Sequence, residues 1–127
     1  MKKQLNSVKR FHETYKLGYS LKPIANLGQE KNTLRFNLMS EENDEYICAA
    51  NNDDIKEVAD ALGDMLYILC GTIIEHGMQD IIEPIFDEIQ KSNMSKLDEH
   101  GNPIFRYDGK VLKGPNYFKP NFDKFFK

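Results

Sequence analysis

The chain has 127 residues, of which 40% are hydrophobic and 29% charged, and its formal net charge at pH 7 is −3. This length suits one globular domain, and we predict a single domain over residues 1–127. The charge is too small for a global field that attracts nucleic acid or an anionic membrane. The longest uncharged run, residues 65–74, is far shorter than the roughly 20 residues of a membrane span. With no signal-like segment at the N-terminus, we expect a cytoplasmic protein.

Apolar residues that recur every three or four positions predict four main helices. Gly18 is expected just after the first helix, an Asn-Asp segment at residues 51–54 to cap the third, and Gly77 to end it. A short further helical period covers residues 122–126. The expected fold class is therefore all-α, a four- to five-helix bundle with helices over about residues 4–17, 29–48, 54–76 and 80–97.

The chain changes character after Leu97. Residues 98–127 hold three of the five prolines and most of the late aromatic residues. Within them, residues 104–112 read as a small hairpin with Asp108-Gly109 at its tip. We expect this C-terminal arm, about residues 98–127, to lie over the helical core of about residues 4–97 or to cross to a neighbouring subunit.

The two cysteines, Cys48 and Cys70, both fall inside predicted helices. They lack the spacing of a disulfide framework or of a zinc site. We expect both to be small, reduced core residues.

Two acidic clusters stand on consecutive predicted helices. Glu57, Asp60 and Asp64 share one helical stripe, and their apolar neighbours, such as Leu62 and Leu66, are expected to be buried. Carboxylates in an apolar seam need a cation or hydrogen bonds to stay ionised. If the helix before it packs antiparallel, its own acidic cluster adds the carboxylates of Glu41, Glu42 and Glu45. An oxygen-only ligand set favours Mg²⁺, with Mn²⁺ able to substitute, over zinc. The alternative is an ordinary solvated acidic face.

A basic constellation follows the fourth helix. Residues 91–96 offer lysine, serine and asparagine donors, and Lys110 and Lys113 follow in the arm. Such groups suit phosphate oxygens. The alternative is that lysines near a helix C-terminus merely favour its dipole.

Residues near the first two helices suggest two further contacts. His12, beside Phe11, either lines a base-binding pocket by stacking or is a partly exposed histidine without a catalytic role. Arg35, two turns before Glu42, is expected to pair with the acidic cluster or to form an ordinary helix salt bridge. The chain has no glycine-rich phosphate loop and no evident covalent nucleophile, so attack by a metal-activated water is the simpler chemistry.

The pattern resembles the all-α nucleoside triphosphate pyrophosphohydrolases, the superfamily that includes MazG, dimeric dUTPases and phosphoribosyl-ATP pyrophosphohydrolase. Residues 41–45 match its E-E-x-x-E element, and Glu57-Val58-Ala59-Asp60 matches the later E-x-x-D element. The S-N-M-S-K string at 92–96 and residues 108–115 look like the tail of a MazG-like branch. The resemblance covers roughly residues 5–120.

The resemblance implies hydrolysis between the α- and β-phosphates of a nucleoside triphosphate, and a homodimer or homotetramer with sites between subunits. Asp64 is a weaker candidate for contact with the metal, either directly or through another group. Carried over by position, the metal ligands would be Glu42, Glu45, Glu57 and Asp60; the catalytic residues Glu41, Glu42 and Glu45; and the substrate-binding residues Phe11, His12, Asn93, Lys96, Lys110 and Lys113.

Two alternatives stay open at this point. The first is a phosphoribosyl-ATP pyrophosphohydrolase, which would differ only in its substrate. The second is a metal-binding helical interaction module without turnover.

Overall fold

The computed structural model describes all 127 residues and is built of α-helices. A 3-10 turn covers Asp123–Phe125, and one isolated antiparallel bridge joins Phe105 and Val111. The predicted all-α class is therefore confirmed. The four helices are α1 (Lys2–Thr14), α2 (Gln29–Asn51), α3 (Ile55–Glu75) and α4 (Ile82–Met94).

None of these helices combines the length and hydrophobicity that crossing a bilayer requires.

The chain divides into two compact units, Met1–Asp80 and Ile81–Lys127. In the first unit, α3 packs against both α2 and α1. The buried apolar residues all belong to this unit, and α3 supplies most of them. They are Leu5, Val8, Ala49, Ala61, Cys70, Ile73 and Ile74.

The end of α1 differs from the expectation. The helix stops at Thr14, and Lys16 adopts the left-handed backbone conformation directly after it, with φ +58°, while Gly18, at φ +82°, is left-handed two residues further on. The Leu17 amide then donates to the carbonyl of His12 at 2.8 Å, closing the turn. A hydrogen-bonded turn thus fixes a non-glycine residue at positive φ, which residue preferences alone do not indicate.

The two ends of α3 follow the prediction. Asp54 caps the start, with its carboxylate accepting a hydrogen bond from the Glu57 amide. Gly77, with φ +69°, follows the end, and the Met78 amide donates to the carbonyl of Ile73. The loop between α1 and α2 completes this end, since the amide of Ser20 donates to the carbonyl of Ile74.

Gly77 is also required by space, because a Cβ there would lie 2.1 Å from the Lys22 carbonyl oxygen. We expect Gly77→Ala to lower the free energy of unfolding by about 2 kcal/mol or more, measured by urea denaturation. Gly28→Ala is the matched control, since Gly28 also has positive φ but open space around its Cα. Equal losses in the two variants would contradict the steric part of this account.

In the second unit, α4 is shorter than predicted and the arm is tied to it. The Ser92 hydroxyl is buried and donates to the carbonyl of Phe118 at 2.8 Å. Glu88 accepts hydrogen bonds from the Asn121 amide and the Lys124 ammonium group, each at 3.1 Å. The predicted hairpin is present as the Phe105–Val111 bridge, with Gly109 at φ +90° in its turn.

Two expectations about burial are wrong. Cys70 is fully buried, but Cys48 is exposed, and both thiols are free. Leu62 and Leu66 are 50% and 45% exposed, although they were expected on the buried side of α3. The physical reason is that α1 and α2 cover only part of the circumference of α3, so an apolar face of this helix remains uncovered in the single chain.

Candidate metal centre

Helices α2 and α3 pack together and are connected by only three residues, Asn52–Asp54. This short connection turns the chain back on itself, so the acidic segments of both helices face one another near the turn. Carboxylate oxygens of Glu42, Glu45 and Asp64 lie within 4.8 Å of one another. We call these three side chains the carboxylate cluster.

Glu42 is the least solvated member of the cluster. Its Oε2 atom is buried and has no hydrogen-bond partner. Burial, followed by the hydrogen bond with Glu45 and repulsion from Glu45, Asp64 and Asp60, raises the pKa of Glu42 to about 7. The site is therefore short of positive charge.

A cleft of about 440 Å³ opens beside the cluster, at the turn between the two helices. Glu57 and Asp60, two of the predicted metal ligands, line it. The complete lining is Glu45, Cys48, Ala49, Asn52, Asp54, Glu57 and Asp60.

The predicted ligand set thus falls into two groups that share Glu45. Glu42 and Glu45 belong to the carboxylate cluster, whereas Glu57 and Asp60 line the cleft with Glu45. Asp64, ranked only as a secondary contact, completes the cluster. The sequence signal that could have identified Asp64 as a cluster member was its spacing of four residues from Asp60, which places both carboxylates on the same side of the helix. Glu41, the neighbour of Glu42, is exposed and lies outside the cluster of three.

The donor atoms fit a hard divalent cation. All are carboxylate oxygens, the ligands that Mg²⁺ and Mn²⁺ prefer. The orphaned Oε2 atom of Glu42 supplies an independent observation, because a buried carboxylate oxygen without a partner is costly unless a cation satisfies it.

The raised pKa of Glu42 makes stability depend on pH when divalent cations are absent. Between the ordinary carboxyl pKa of 4.5 and about 7, the folded state keeps a proton that the unfolded state has lost. We therefore expect the free energy of unfolding in EDTA to fall as pH rises through this window and to level off above it. Glu42→Gln should flatten the profile, whereas Glu41→Gln should leave it unchanged. Superimposable profiles for wild type and Glu42→Gln would contradict the assignment.

The two residues predicted to lie near the base differ in exposure. Phe11 is 38% exposed and packs edge-on against Tyr67, with ring centroids 5.5 Å apart. His12 is only 2% exposed, so the expected partial exposure is wrong. Its Nδ1 atom donates to the carbonyl of Gly18 at 2.9 Å. A part for His12 in substrate binding stays a prediction.

Arg35 does not pair with the acidic cluster as expected. It is buried, and its guanidinium contacts Glu75, Ile68 and Thr72 on α3. The reason is that the guanidinium reaches across to α3 at its own level, where Glu75 supplies a buried carboxylate.

The predicted phosphate-binding residues belong to the second unit. Asn93 is exposed in the last turn of α4, and Lys96 follows the end of that helix. Lys110 is exposed in the hairpin. Lys113 is exposed in the arm, where its ammonium group lies 4.9 Å from the centre of the Tyr117 ring.

Comparison with known proteins places the helical part of the chain in a family. The protein-family model described as phosphoribosyl-ATP pyrophosphohydrolase matches residues 8–93, well over half of the chain. A comparison with curated proteins gave no match. The matched range includes both acidic helices and ends before Lys96, Lys110 and Lys113. The chain therefore belongs to the phosphoribosyl-ATP pyrophosphohydrolase family, within the all-α MazG-like superfamily, and is a pyrophosphohydrolase that acts on phosphoric anhydrides.

Proposed function

We propose that the protein is a Mg²⁺-dependent nucleoside triphosphate pyrophosphohydrolase that cleaves between the α- and β-phosphates of a (d)NTP. Water would add to the α-phosphorus as the bond to the bridging oxygen breaks, giving the nucleoside monophosphate and pyrophosphate. The observation that carries this proposal is the convergence of Glu42, Glu45 and Asp64 on one point between two helices that the family model matches.

The acidic residues would have two roles. Some would be ligands of the cation, and others would orient the attacking water or accept its proton. Glu42, Glu45, Glu57 and Asp60, with Asp64, would hold Mg²⁺, for which Mn²⁺ can substitute. When bound, the cation neutralises phosphate charge and lowers the pKa of a bound water.

Glu41, which is exposed beside the cluster, would orient or deprotonate the attacking water. Glu42 and Glu45 would assist it.

The remaining substrate contacts would come from three exposed donors, from the partly buried Lys96 and from one aromatic ring. Asn93, Lys96, Lys110 and Lys113 would hold the non-reacting phosphate oxygens and stabilise the leaving pyrophosphate. Phe11, whose ring is partly exposed, would contact the base.

Phosphoribosyl-ATP is the second candidate substrate, and the name of the matched family favours it. It carries the same triphosphate unit on adenosine, so the same carboxylates would serve. Its extra ribosyl phosphate would need a further set of donors.

A pyrophosphate-release assay separates these possibilities. Purified protein with Mg²⁺ is given each canonical NTP and dNTP and, separately, phosphoribosyl-ATP. We expect turnover of at least one (d)NTP and its loss in EDTA. Turnover of phosphoribosyl-ATP alone would identify the second candidate. No pyrophosphate from any substrate would contradict the enzyme proposal and favour a metal-binding interaction module.

We further propose that the protein is a homodimer or homotetramer. The first unit exposes an apolar groove of about 330 Å³ that is lined by Met39, Met65, Leu66 and Leu69. Such a surface is typical of a subunit interface.

The groove gives a direct test of assembly. We expect wild-type protein to sediment as a dimer or tetramer and Leu66→Glu to shift it toward the monomer, because a charge would be buried at the interface. Leu21→Glu, at an 80% exposed side chain in the loop between α1 and α2, is the control. A monomeric wild type, or an unchanged assembly in Leu66→Glu, would contradict the proposed interface.

A further inference from the structure

A buried arginine bridges α2 to α3 on the side of the carboxylate cluster away from the turn. Arg35 is 7% exposed. Its Nη2 atom donates to the carbonyl of Ile68 at 2.8 Å, and its Nε atom donates to the Thr72 hydroxyl at 3.1 Å. That hydroxyl donates in turn to the Ile68 carbonyl at 2.9 Å. We call this arrangement the Arg35 clamp.

The backbone of α3 makes room for the clamp at Gly71. A Cβ there would lie 2.7 Å from Nη2 of Arg35 and 2.9 Å from Nε2 of His12. Glycine in a helix interior lowers the stability of that helix. At position 71 it leaves space next to the backbone that a larger residue would fill. The guanidinium occupies that space.

The clamp and the turn lie on opposite sides of the carboxylate cluster. Along α2, Glu42 follows Arg35 by seven residues, about 10 Å of helix. Along α3, Asp64 precedes Ile68 by one turn. The connection Asn52–Asp54 lies beyond the other side of the cluster. The two helices are therefore fixed together on both sides of their acidic segments.

Repulsion within the carboxylate cluster makes the separation of the two helices depend on what holds them together. Glu45 on α2 faces Asp64 on α3 within the cluster, and these like charges push the helices apart when no cation is present. The turn resists opening near its own end. On the far side of the cluster the clamp ties the helices through hydrogen bonds from a charged donor, and the half-exposed Lys31 adds a more weakly held ion pair with Glu75.

We propose that Arg35 is a positioning residue that holds α2 against α3 and so preorganises the carboxylate cluster before a divalent cation binds. This inference rests on the proposed function, because it assumes that the cluster binds the cation. It assigns a role in cation affinity to a residue that contacts neither the substrate nor the metal.

The competing explanation is that Arg35 serves only as a charge partner for Glu75. The Oε2 atom of Glu75 lies 3.5 Å from Arg35, and its Oε1 atom lies 3.4 Å from Lys31. Lys31 contacts the same carboxylate without bonding to Ile68 or Thr72, so Lys31→Met is the matched control.

The central variant is Arg35→Met/Glu75→Gln, which removes the clamp without leaving a buried charge unpaired. Mn²⁺ affinity is measured by electron paramagnetic resonance, and amide exchange over residues 36–48 and 58–70 is measured by mass spectrometry in EDTA and in Mg²⁺. We expect the double variant to bind Mn²⁺ about tenfold more weakly, the lower end of the loss seen when groups that hydrogen-bond directly to metal ligands are removed. Exchange should be about tenfold faster in EDTA and should slow on adding Mg²⁺. Lys31→Met should match wild type in both measurements.

Wild-type Mn²⁺ affinity in the double variant would overturn the proposal, whether or not amide exchange changes. If the double variant does not fold, Gly71→Ala and Thr72→Val decide by the same two measurements, since each disturbs the clamp and keeps Arg35. Wild-type behaviour in both would overturn it. Pyrophosphate release is measured separately. A wild-type protein that binds Mn²⁺ but hydrolyses no substrate would refute the proposed function. The Mn²⁺ affinity and the amide exchange rates would still test the role of Arg35.

Discussion

Glu45→Gln is expected to lower kcat/KM for pyrophosphate release by about 10²- to 10³-fold. Glu45 is the one residue that belongs both to the carboxylate cluster and to the lining of the cleft. The amide retains the shape of the side chain but loses the negative charge that a divalent cation requires. Metal-ion stabilisation is worth several kcal/mol, which corresponds to a loss of this size. Turnover is measured at saturating and at limiting Mg²⁺.

The control for this variant is Asp44→Asn. Asp44 is the exposed neighbour of Glu45 on α2 and does not belong to the cluster of three. We expect its activity to stay within about threefold of wild type, as for surface substitutions away from special features. Full activity in Glu45→Gln, or an equal loss in Asp44→Asn, would show that the cluster is not the catalytic centre.

Arg35→Met as a single change is expected to lower the free energy of unfolding by about 3–5 kcal/mol. It leaves the carboxylate of Glu75, which is 3% exposed, paired with the 39% exposed Lys31 but without its buried arginine, and removing the buried partner of a buried charge is strongly destabilising. Adding Glu75→Gln should recover most of the loss, because the charge is then removed as well. Urea denaturation at pH 7 measures all three proteins.

Lys31→Met provides the comparison for that ion pair. The Lys31 side chain is 39% exposed, so its interaction with Glu75 is screened by water and should contribute at most about 1 kcal/mol. A double variant no more stable than Arg35→Met would contradict the explanation by the buried charge of Glu75, and the loss would then have to come from the hydrogen bonds to Ile68 and Thr72.

The acidic helices show how far spacing alone predicts a site. The i, i+3 and i+4 positions placed Glu42 and Glu45 on one face of α2, and the short turn brought that face against α3. The choice of the third cluster member was less well predicted. Spacing places Asp60 and Asp64 equally on α3, and only the packing of the two helices selects Asp64.

Features that depend on contacts between distant residues were not predicted. Arg35 pairs with Glu75, 40 positions later, and His12 is buried by the Gly18 carbonyl and the α3 backbone. Local periodicity contains no information about such partners. Likewise, the hydrophobicity of Leu62 and Leu66 predicts that something covers them, but not whether it is the same chain.

Local rules were reliable where backbone chemistry determines the outcome. The Asp54 cap, the glycine after α3 and the Asp-Gly turn of the hairpin all appear where predicted, since each depends on a few adjacent residues. The α1 end is the exception, because its hydrogen-bonded turn fixes Lys16 at positive φ without glycine.

The most direct test of the carboxylate centre is anomalous diffraction from crystals of the protein grown with Mn²⁺. We predict an anomalous peak between Glu42, Glu45 and Asp64, with oxygen ligands from α2 and α3. A well-diffracting crystal at millimolar Mn²⁺ with no peak at that point, or with manganese held only elsewhere, would contradict the central claim that these two helices form one cation site.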